Sequence, residues 1–455
     1  MSRLSLADSA PPTLGHHVSR TLALAVPVML SRAGLIIMVV IDTVMVGHAG
    51  GQELAVYGIS LAPQTALMVT GIGLLVGTVV LTAQADGAGR PELTGRIWRL
   101  ALIIAAGLGL LSGLVLLGGE AILLALGQEP NIARGGGGAL TMFAPGMPAI
   151  LMYVATTSFL EGIGRPNAGM MIALIANLAK VPLNWMLIFG ELGAPAMGAE
   201  GAALSMTITR WLMLAAIVIY VLLMPERRRF GVRAPLAGHF HYVGKLLRIG
   251  APLAVGAALE TTAFSAMAIF AGWLGETPLA AFQITLNVVT LCFMLTLGIS
   301  TATAVRVANA VGRGDQHGIA MAGWVGTALV AVVMLVLAVG LYLLQVPIAA
   351  AYTDDAAVRA LAVTALGIAA PLLIVDGLQG VLMGAVRGAA DVLVPTALHA
   401  FSFWGVTVPL GYLFGIGLGL GLMGLMYALV IGLIVASALL GGRFHVISRR
   451  HIRPV

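Results

Sequence analysis

The run Met38-Val39-Val40-Ile41-Asp42-Thr43-Val44-Met45-Val46-Gly47 decides how the rest of the chain is read. It closes an apolar segment that starts near Leu22, and one carboxylate interrupts it. About 20 apolar residues, rising 1.5 Å each as a helix, cross the hydrocarbon layer of a bilayer. A charge near mid-depth costs about 2.5–3.5 kcal/mol on insertion scales, so such groups face a cavity or a partner and mark ion or substrate paths. The plainer alternative is an Asp42 that reaches headgroup water, since Gly47 ends the segment five residues later.

Composition puts the whole chain in the bilayer. Of 455 residues 60% are hydrophobic and 9% charged, against about 25% charged in soluble domains. The one cysteine, Cys292, excludes an internal disulfide, and no Cys/His metal spacing occurs. The net charge of +6 does not imply nucleic-acid binding, because basic residues collect in the cytoplasmic loops of membrane proteins. The Gly135-Gly136-Gly137-Gly138 run lacks the Lys-Ser/Thr of a phosphate cradle and falls in an expected outer loop. His399 alone reads as a packed or hydrogen-bonded histidine, and no Ser/His or metal constellation lies in the spans. The chain is therefore read as a non-enzyme without a cofactor. Its first apolar run is too long for a cleaved signal sequence.

The expected fold is an all-α membrane protein of twelve transmembrane helices: about 22–47, 54–85, 98–119, 138–161, 167–190, 200–223, 248–272, 278–308, 319–346, 358–384, 393–416 and 419–442. Residues 1–21 form a cytoplasmic segment, 22–223 the first lobe, 224–247 a basic linker, 248–442 the second lobe and 443–455 a basic tail. With both termini cytoplasmic, 19 of the 24 Lys and Arg fall on the inner side and only Arg134 and Arg359 on the outer. The halves are repeats. A shift of 225 residues carries Pro27 onto Pro252, Gly47 onto Gly272, Gly50 onto Gly275, Gln84 onto Asn309, and Gly87 and Gly89 onto Gly312 and Gly314. Later the offset is 227, where Val181-Pro182-Leu183 matches Val408-Pro409-Leu410. Six helices per repeat is even, so both halves point the same way, an organisation typical of alternating-access transporters.

Three acids lie inside the expected spans: Asp42, Glu260 and Asp376. Glu260 falls on Leu35 under the repeat, two helical turns before Asp42 and on the same face. Asp42 and Asn184 sit at nearly equal depth, with Lys180 one turn below, so a Lys180–Asp42 pair, direct or through Asn184, is expected; Arg32 is too far along its own helix. With Arg32, Lys180 and Arg210 as its intramembrane bases, the first half carries +2 and the second −2. Carboxylates without a basic partner take up protons or bind a cation, which favours Glu260 and Asp376 as the coupling site. Gln379 and the pair Gln283 and Asn287 are candidate supporting residues, with Tyr153, Asn184 and Lys180 in the first half; each also reads as interhelical glue. The 22 methionines fit either ordinary packing or an adaptable substrate cavity.

Asp42-Thr43-Val44-Met45-Val46-Gly47, Glu161-Gly162 with Gly164-Arg165-Pro166, Val181-Pro182-Leu183-Asn184-Trp185, Gln283-Ile284-Thr285-Leu286-Asn287, and Asp376-Gly377-Leu378-Gln379 with Arg387-Gly388 follow one another in an order that resembles the multidrug and toxic compound extrusion (MATE) family, on its NorM-like bacterial branch. The resemblance runs from about residue 20 to 440. It implies two six-helix lobes in a V around a central cavity. It also implies export of organic, often cationic, compounds in exchange for Na⁺ or H⁺, by a monomer in the bacterial inner membrane. Asp42 is similar to the family's first-helix aspartate, Glu260 and Asp376 to its second-lobe cation-site acids, and Pro27 to the proline about which that helix bends. Leu372 stands where a tyrosine often completes a Na⁺ site, and no other metal is implied. The competing reading is a flippase of lipid-linked saccharides, which would need a strongly cationic cavity.

Overall fold

The computed structural model describes residues 14–236 and 238–450. Arg3 and Arg453 of the basic count, and both chain ends, lie outside the described residues. The described chain is helical. The first half comprises α1 (Leu14–Ala49), α2 (Gly51–Leu75), α3 (Gly77–Gly87), α4 (Pro91–Leu117), α5 (Gly119–Ala125), α6 (Pro130–Phe143), α7 (Gly146–Gly162), α8 (Asn167–Phe189) and α9 (Gly198–Leu223). The second comprises α10 (His241–Trp273), α11 (Glu276–Arg313), α12 (Gln316–Tyr352), α13 (Ala356–Gly388), α14 (Leu393–Ala400), α15 (Val408–Tyr412) and α16 (Gly421–Ser448). Eleven helices are long and apolar enough to cross a membrane, and α6 with α7, bent by 47°, makes a twelfth.

The repeat is visible in these boundaries. The stretch Gly51–Gly87 falls on α11, continuous in the second half and broken at Val76 in the first. Gly50 and Gly275 precede them at φ 145° and 119°, a backbone region that a side chain rarely enters. The bent pair α6 and α7 falls on the continuous α13, with Pro145 at the bend where α13 carries Pro371. The stretch 393–417 matches α8 but is wound wider, with π-helical turns over Phe401–Thr407 and Leu413–Gly417. Such turns release backbone carbonyls, and Ser402 O accepts from Thr407 Oγ1 at 3.0 Å.

Several elements overrun the apolar windows, because a helix keeps its hydrogen bonds into polar flanks whose long side chains reach water. Thus α1 includes residues 14–21, α10 takes up 241–247 of the expected linker, and α16 reaches Ser448 of the expected tail. Arg387 consequently lies inside α13, and Arg306, within the expected span 278–308, lies inside α11, so the second half does hold basic groups within its helices. The polyglycine run is no outer loop: it forms the middle of α6, where Gly136 packs on Leu123 and Gly137 on Glu120. The remaining linker residues fold back, and Phe230 and Val232 are buried in the first-half core.

Each half has its own apolar core, and the two meet at the end where α1 begins and α3 and α11 finish. There α1 and α3 lie on α11, and α2 lies on α10. The contact obeys the repeat: a Cβ on Gly87 would strike Asn309, and one on Gly312 would strike Gln84, the equivalent pair across the pseudo-twofold axis. Higher up, Gly73 would meet Ala254 Cα at 2.8 Å. Arg306 ties the same end by donating to His17 O and Thr21 Oγ1 of α1. Beyond these contacts α2 and α10 diverge around a cavity of about 580 Å³ lined by Leu61, Thr65, Val69, Ala258, Thr261 and Thr262 among others.

Candidate functional site

Three helices converge on Asp42. From α8, Lys180 Nζ stands 2.9 Å from Asp42 Oδ1 and Asn184 Nδ2 donates to the same oxygen at 2.7 Å. From α2, the Tyr57 hydroxyl donates to Oδ2 at 2.8 Å. Asp42, Lys180, Asn184 and Tyr57 are each 0% exposed, so bulk solvent does not reach them. Four-residue spacing puts Lys180 and Asn184 on one face of α8, and parallel travel of α1 and α8 brings that face level with Asp42. Removing both charges from water is costly, and only short contacts with every lone pair engaged repay it. Beside this cluster Arg210 lies buried between the sulfurs of Met68 and Met147, with the Phe143 ring 5.7 Å from its guanidinium carbon. The three bases of the first half are thus turned inward, since Arg32 Nη2 pairs with Glu161 Oε1 at 3.3 Å.

Glu161 belongs among the buried acids, being 5% exposed. It stands at the end of its apolar window, where a carboxylate reads as a headgroup residue. Among the described residues Arg32 and Lys180 each pair with an acid and Arg210 forms no ion pair, while the second-half helices also hold Arg306 and Arg387, so the simple contrast of +2 and −2 no longer holds.

The second half holds a different cluster. Glu260 Oε2 on α10 is 3.2 Å from His399 Nε2 on α14, and His399 Nδ1 is 3.0 Å from Gln379 Nε2 on α13. Asp376, 6% exposed, precedes Gln379 by one turn on the same face of α13 and interacts electrostatically with Glu260. Among the described residues no ion pair reaches Asp376, and no three His, Cys, Asp or Glu side chains gather closely enough for a metal ion. Leu372 is buried one turn before Asp376. The Glu260 side chain is 27% exposed, whereas the Asp42 cluster is sealed.

Other candidates lie elsewhere. Tyr153 is buried in the first-half core, its hydroxyl donating to Gly169 O at 3.1 Å, and so ties α7 to α8 instead of lining the cavity. Gln283 and Asn287 are exposed on α11, and Asn287 Oδ1 accepts from the Tyr352 hydroxyl at 2.8 Å. They are not brought to Glu260 or to the cavity between α2 and α10. Pro27 sits buried inside an unbroken α1.

The sequence reading did not place Tyr57 at the Asp42 cluster, nor His399, read there as a packed or hydrogen-bonded histidine, beside Glu260. Tyr57 carried a signal: its repeat mate is Phe282 and the mate of Asp42 is Met267, so the hydroxyl occurs in the half that has the acid. His399 carried none, because its partners lie 139 and 20 residues away on other helices.

Comparison with known proteins agrees with this architecture. The family model described as MatE matches residues 27–186 and 252–413, one segment in each half. A probable multidrug resistance protein NorM of Caulobacter vibrioides is 35% identical over 430 residues, covering 94% of this chain and 91% of the relative. Its counterpart from Xanthomonas axonopodis pv. citri is also 35% identical, over 99% of this chain and 98% of the relative. A solved structure of a multidrug resistance MATE family transporter of the MOP superfamily, in an outward-facing conformation, superposes with a TM-score of 0.86 at 20% identity, over 95% of this chain and 97% of that one. A family match in both halves, joined to full-length relatives at this identity, makes the chain a member of the MatE family, on its NorM-like side.

Proposed function

We propose that this chain is a secondary multidrug exporter of the bacterial inner membrane, exchanging organic cations for Na⁺ or H⁺ with both termini in the cytoplasm. The observation that carries the coupling assignment is the contrast between the two acid clusters. Asp42 is sealed and neutralised by Lys180, whereas Glu260 and Asp376 have no Lys or Arg ion pair among the described residues and Glu260 is partly exposed. A carboxylate pair of that kind takes up a proton or a cation. With the basic end taken as cytoplasmic, the halves are closed inside and the α2–α10 cavity faces outward. Occupation of Glu260 and Asp376 then drives transport only by binding more strongly in one cavity orientation than in the other. One chain supplies both walls of the cavity, so a monomer suffices. The inward turn of Arg32, Lys180 and Arg210 disfavours a cavity built for diphosphate groups.

Efflux of a fluorescent organic cation from proteoliposomes, driven separately by a Na⁺ and by a pH gradient, tests this. Glu260→Gln and Asp376→Asn are each expected to abolish gradient-driven export. Unchanged coupled efflux in both would return these acids to a structural role.

A further inference from the structure

A second cavity, of about 560 Å³, lies between the halves at the closed end, with α1 and α3 on one side and α11 and α12 on the other. Its volume follows from residue size. The 225-residue register continues past α3, since α4 begins at Pro91 and α12 at Gln316, and it carries Leu81, Leu93 and Ile97 onto Arg306, Gly318 and Ala322. All three second-half residues line the cavity. In the first half Leu81 and Ile97 are buried, and the segment after α9 also covers the start of α4, where Gly95 N donates to Phe230 O at 2.8 Å. The second half has small residues where the first has bulk, and a guanidinium where the first has a leucine.

The charge of the cavity is unbalanced. Arg306 donates to His17 O and Thr21 Oγ1, which are neutral, and the charged groups acting on it, Arg20 and Arg313, are both cationic. Asp315 is committed to capping α12, accepting from Gly318 N at 2.8 Å, and stands 3.7 Å from Arg313 Nη2. Asp86 interacts with Arg229 and Arg313. Among the described residues neither Arg20 nor Arg306 has an ion pair with an acid. Arg20 is exposed and the Arg313 side chain is 52% exposed, so both can turn donors toward an anion, and a guanidinium fork matches phosphate oxygens.

The cavity sits at the level of lipid headgroups. On α1 it runs from Arg20 to Leu24, across the point where the apolar segment begins at Leu22. Leu24, Val305 and Ala322 give it an apolar floor beneath a basic rim. Basic pockets between helices on the cytoplasmic side suit anionic headgroups. A free phosphate shares the charge but has nothing to place on that floor.

We propose that this cavity binds the phosphate of an anionic phospholipid between Arg20 and Arg313, in the field of Arg306, with the glycerol end of the lipid on Leu24, Val305 and Ala322. The site is separate from Glu260 and Asp376 and stands whether or not those acids couple transport. Because both halves build its walls, the bound lipid holds the closed end together and stabilises the fold by mass action.

Native mass spectrometry of the full chain in detergent, titrated with phosphatidylglycerol and with phosphatidylcholine of the same acyl chains, tests this. Wild type is expected to hold one phosphatidylglycerol about tenfold more tightly than phosphatidylcholine, and Arg20→Gln and Arg313→Gln should each weaken it about fivefold. Both side chains reach solvent, so neither change disturbs the core. Ala322→Ile, which copies the first half, should weaken binding without altering charge. Lys245→Gln, at the repeat mate of Arg20, should leave it unchanged; a loss equal to that of Arg20→Gln would reduce the effect to general attraction by a basic face and overturn the proposal. Equal affinity for the two lipids would overturn it as well. So would displacement of phosphatidylglycerol by an equal concentration of inorganic phosphate, which would make this a soluble-anion site. Thermal unfolding gives a second readout: phosphatidylglycerol should raise the midpoint of wild type and not that of the Arg20→Gln, Arg313→Gln double variant, and an equal rise in both would count against the site.

Discussion

The two halves use the same pair of helices, the first and the fifth of each, to bury an acid against a base, but at levels two turns apart. Asp42 and Lys180 define the first pair, Glu260 and His399 the second. Under the repeat, Glu260 falls on Leu35, seven residues before Asp42, and His399 on Ile172, eight before Lys180. The level of each of these acids is apolar in the other half. The mates of Asp42, Tyr57, Lys180 and Asn184 are Met267, Phe282, Thr407 and Gly411, and a Cβ on Gly411 would meet Met267 Sδ at 2.6 Å. Where the first half has a carboxylate bonded to an amide, the second has a thioether resting on bare backbone. Duplication conserved the helices and let the charge move along them.

The largest consequence concerns Lys180. Lys180→Met leaves Asp42 sealed without a counter-charge, and removing one partner of a buried pair costs about 3–5 kcal/mol. Thermal unfolding in detergent should show that loss. The quadruple change Asp42→Met, Tyr57→Phe, Lys180→Thr and Asn184→Gly copies the second half and should recover stability to within about 2 kcal/mol of wild type, because replacing a whole pair by apolar packing is often neutral. A quadruple variant as unstable as Lys180→Met would show that the halves are not interchangeable at this level.

Tyr57 gives a finer measure. Tyr57→Phe keeps the ring shape proven at Phe282 and removes one hydrogen bond to a buried carboxylate, at a cost of about 1.5–3 kcal/mol. The converse change, Phe282→Tyr, places a hydroxyl near a half that has Met267 instead of an acid and is destabilising through an unpaired buried donor. If both changes were neutral, the correlation between hydroxyl and acid across the repeat would be accidental.

The closed end should behave symmetrically, unlike the acid clusters. Gly87 and Gly312 are repeat mates, each pressed on the other's partner, Asn309 and Gln84. Alanine at either site overpacks the contact by about 1–3 kcal/mol and biases the protein toward a state with this end parted. Thiol labelling of a cysteine placed near Asp86 should rise by a similar factor in Gly87→Ala and Gly312→Ala. A strong effect in one and none in the other would break the symmetry.

How much of this was legible in the chain follows from the range of the interactions. Spans show in the sequence because apolar windows are local, and the Asp42–Lys180 contact was reachable because depth on two parallel helices can be counted. Helix ends were not, since backbone hydrogen bonding continues past the apolar window; that is why Arg387 changed place. The polyglycine of α6 looked like a loop because glycine weakens an isolated helix, yet here it lets α5 and α9 approach. His399 was read as a packed or hydrogen-bonded histidine, but its partners were beyond sequence reading, because they came from α10 and α13.

The weakest expected effect belongs to an ion pair that shares the geometry of Asp42–Lys180 and none of its setting. Arg165 Nη2 lies 2.6 Å from Glu226 Oε1, outside the spans, with both side chains 36% exposed. The hydrogen bond from Arg165 holds the Glu226 carboxyl below its ordinary range and raises Arg165 in turn. A carboxyl depressed in the folded protein contributes stability above its unfolded value, about 4.3 for glutamate, and that contribution disappears as pH falls below it. At neutral pH solvent screens the pair, so Glu226→Gln should leave both thermal stability and efflux at their wild-type levels. Any gap between the unfolding curves of the two proteins should be small and constant above pH 5 and close as pH falls through the range in which Glu226 takes up its proton. A large gap at pH 7 would mean that this contact locks the linker to the first half, and that burial is not what separates the pair at Asp42 from an ordinary surface contact.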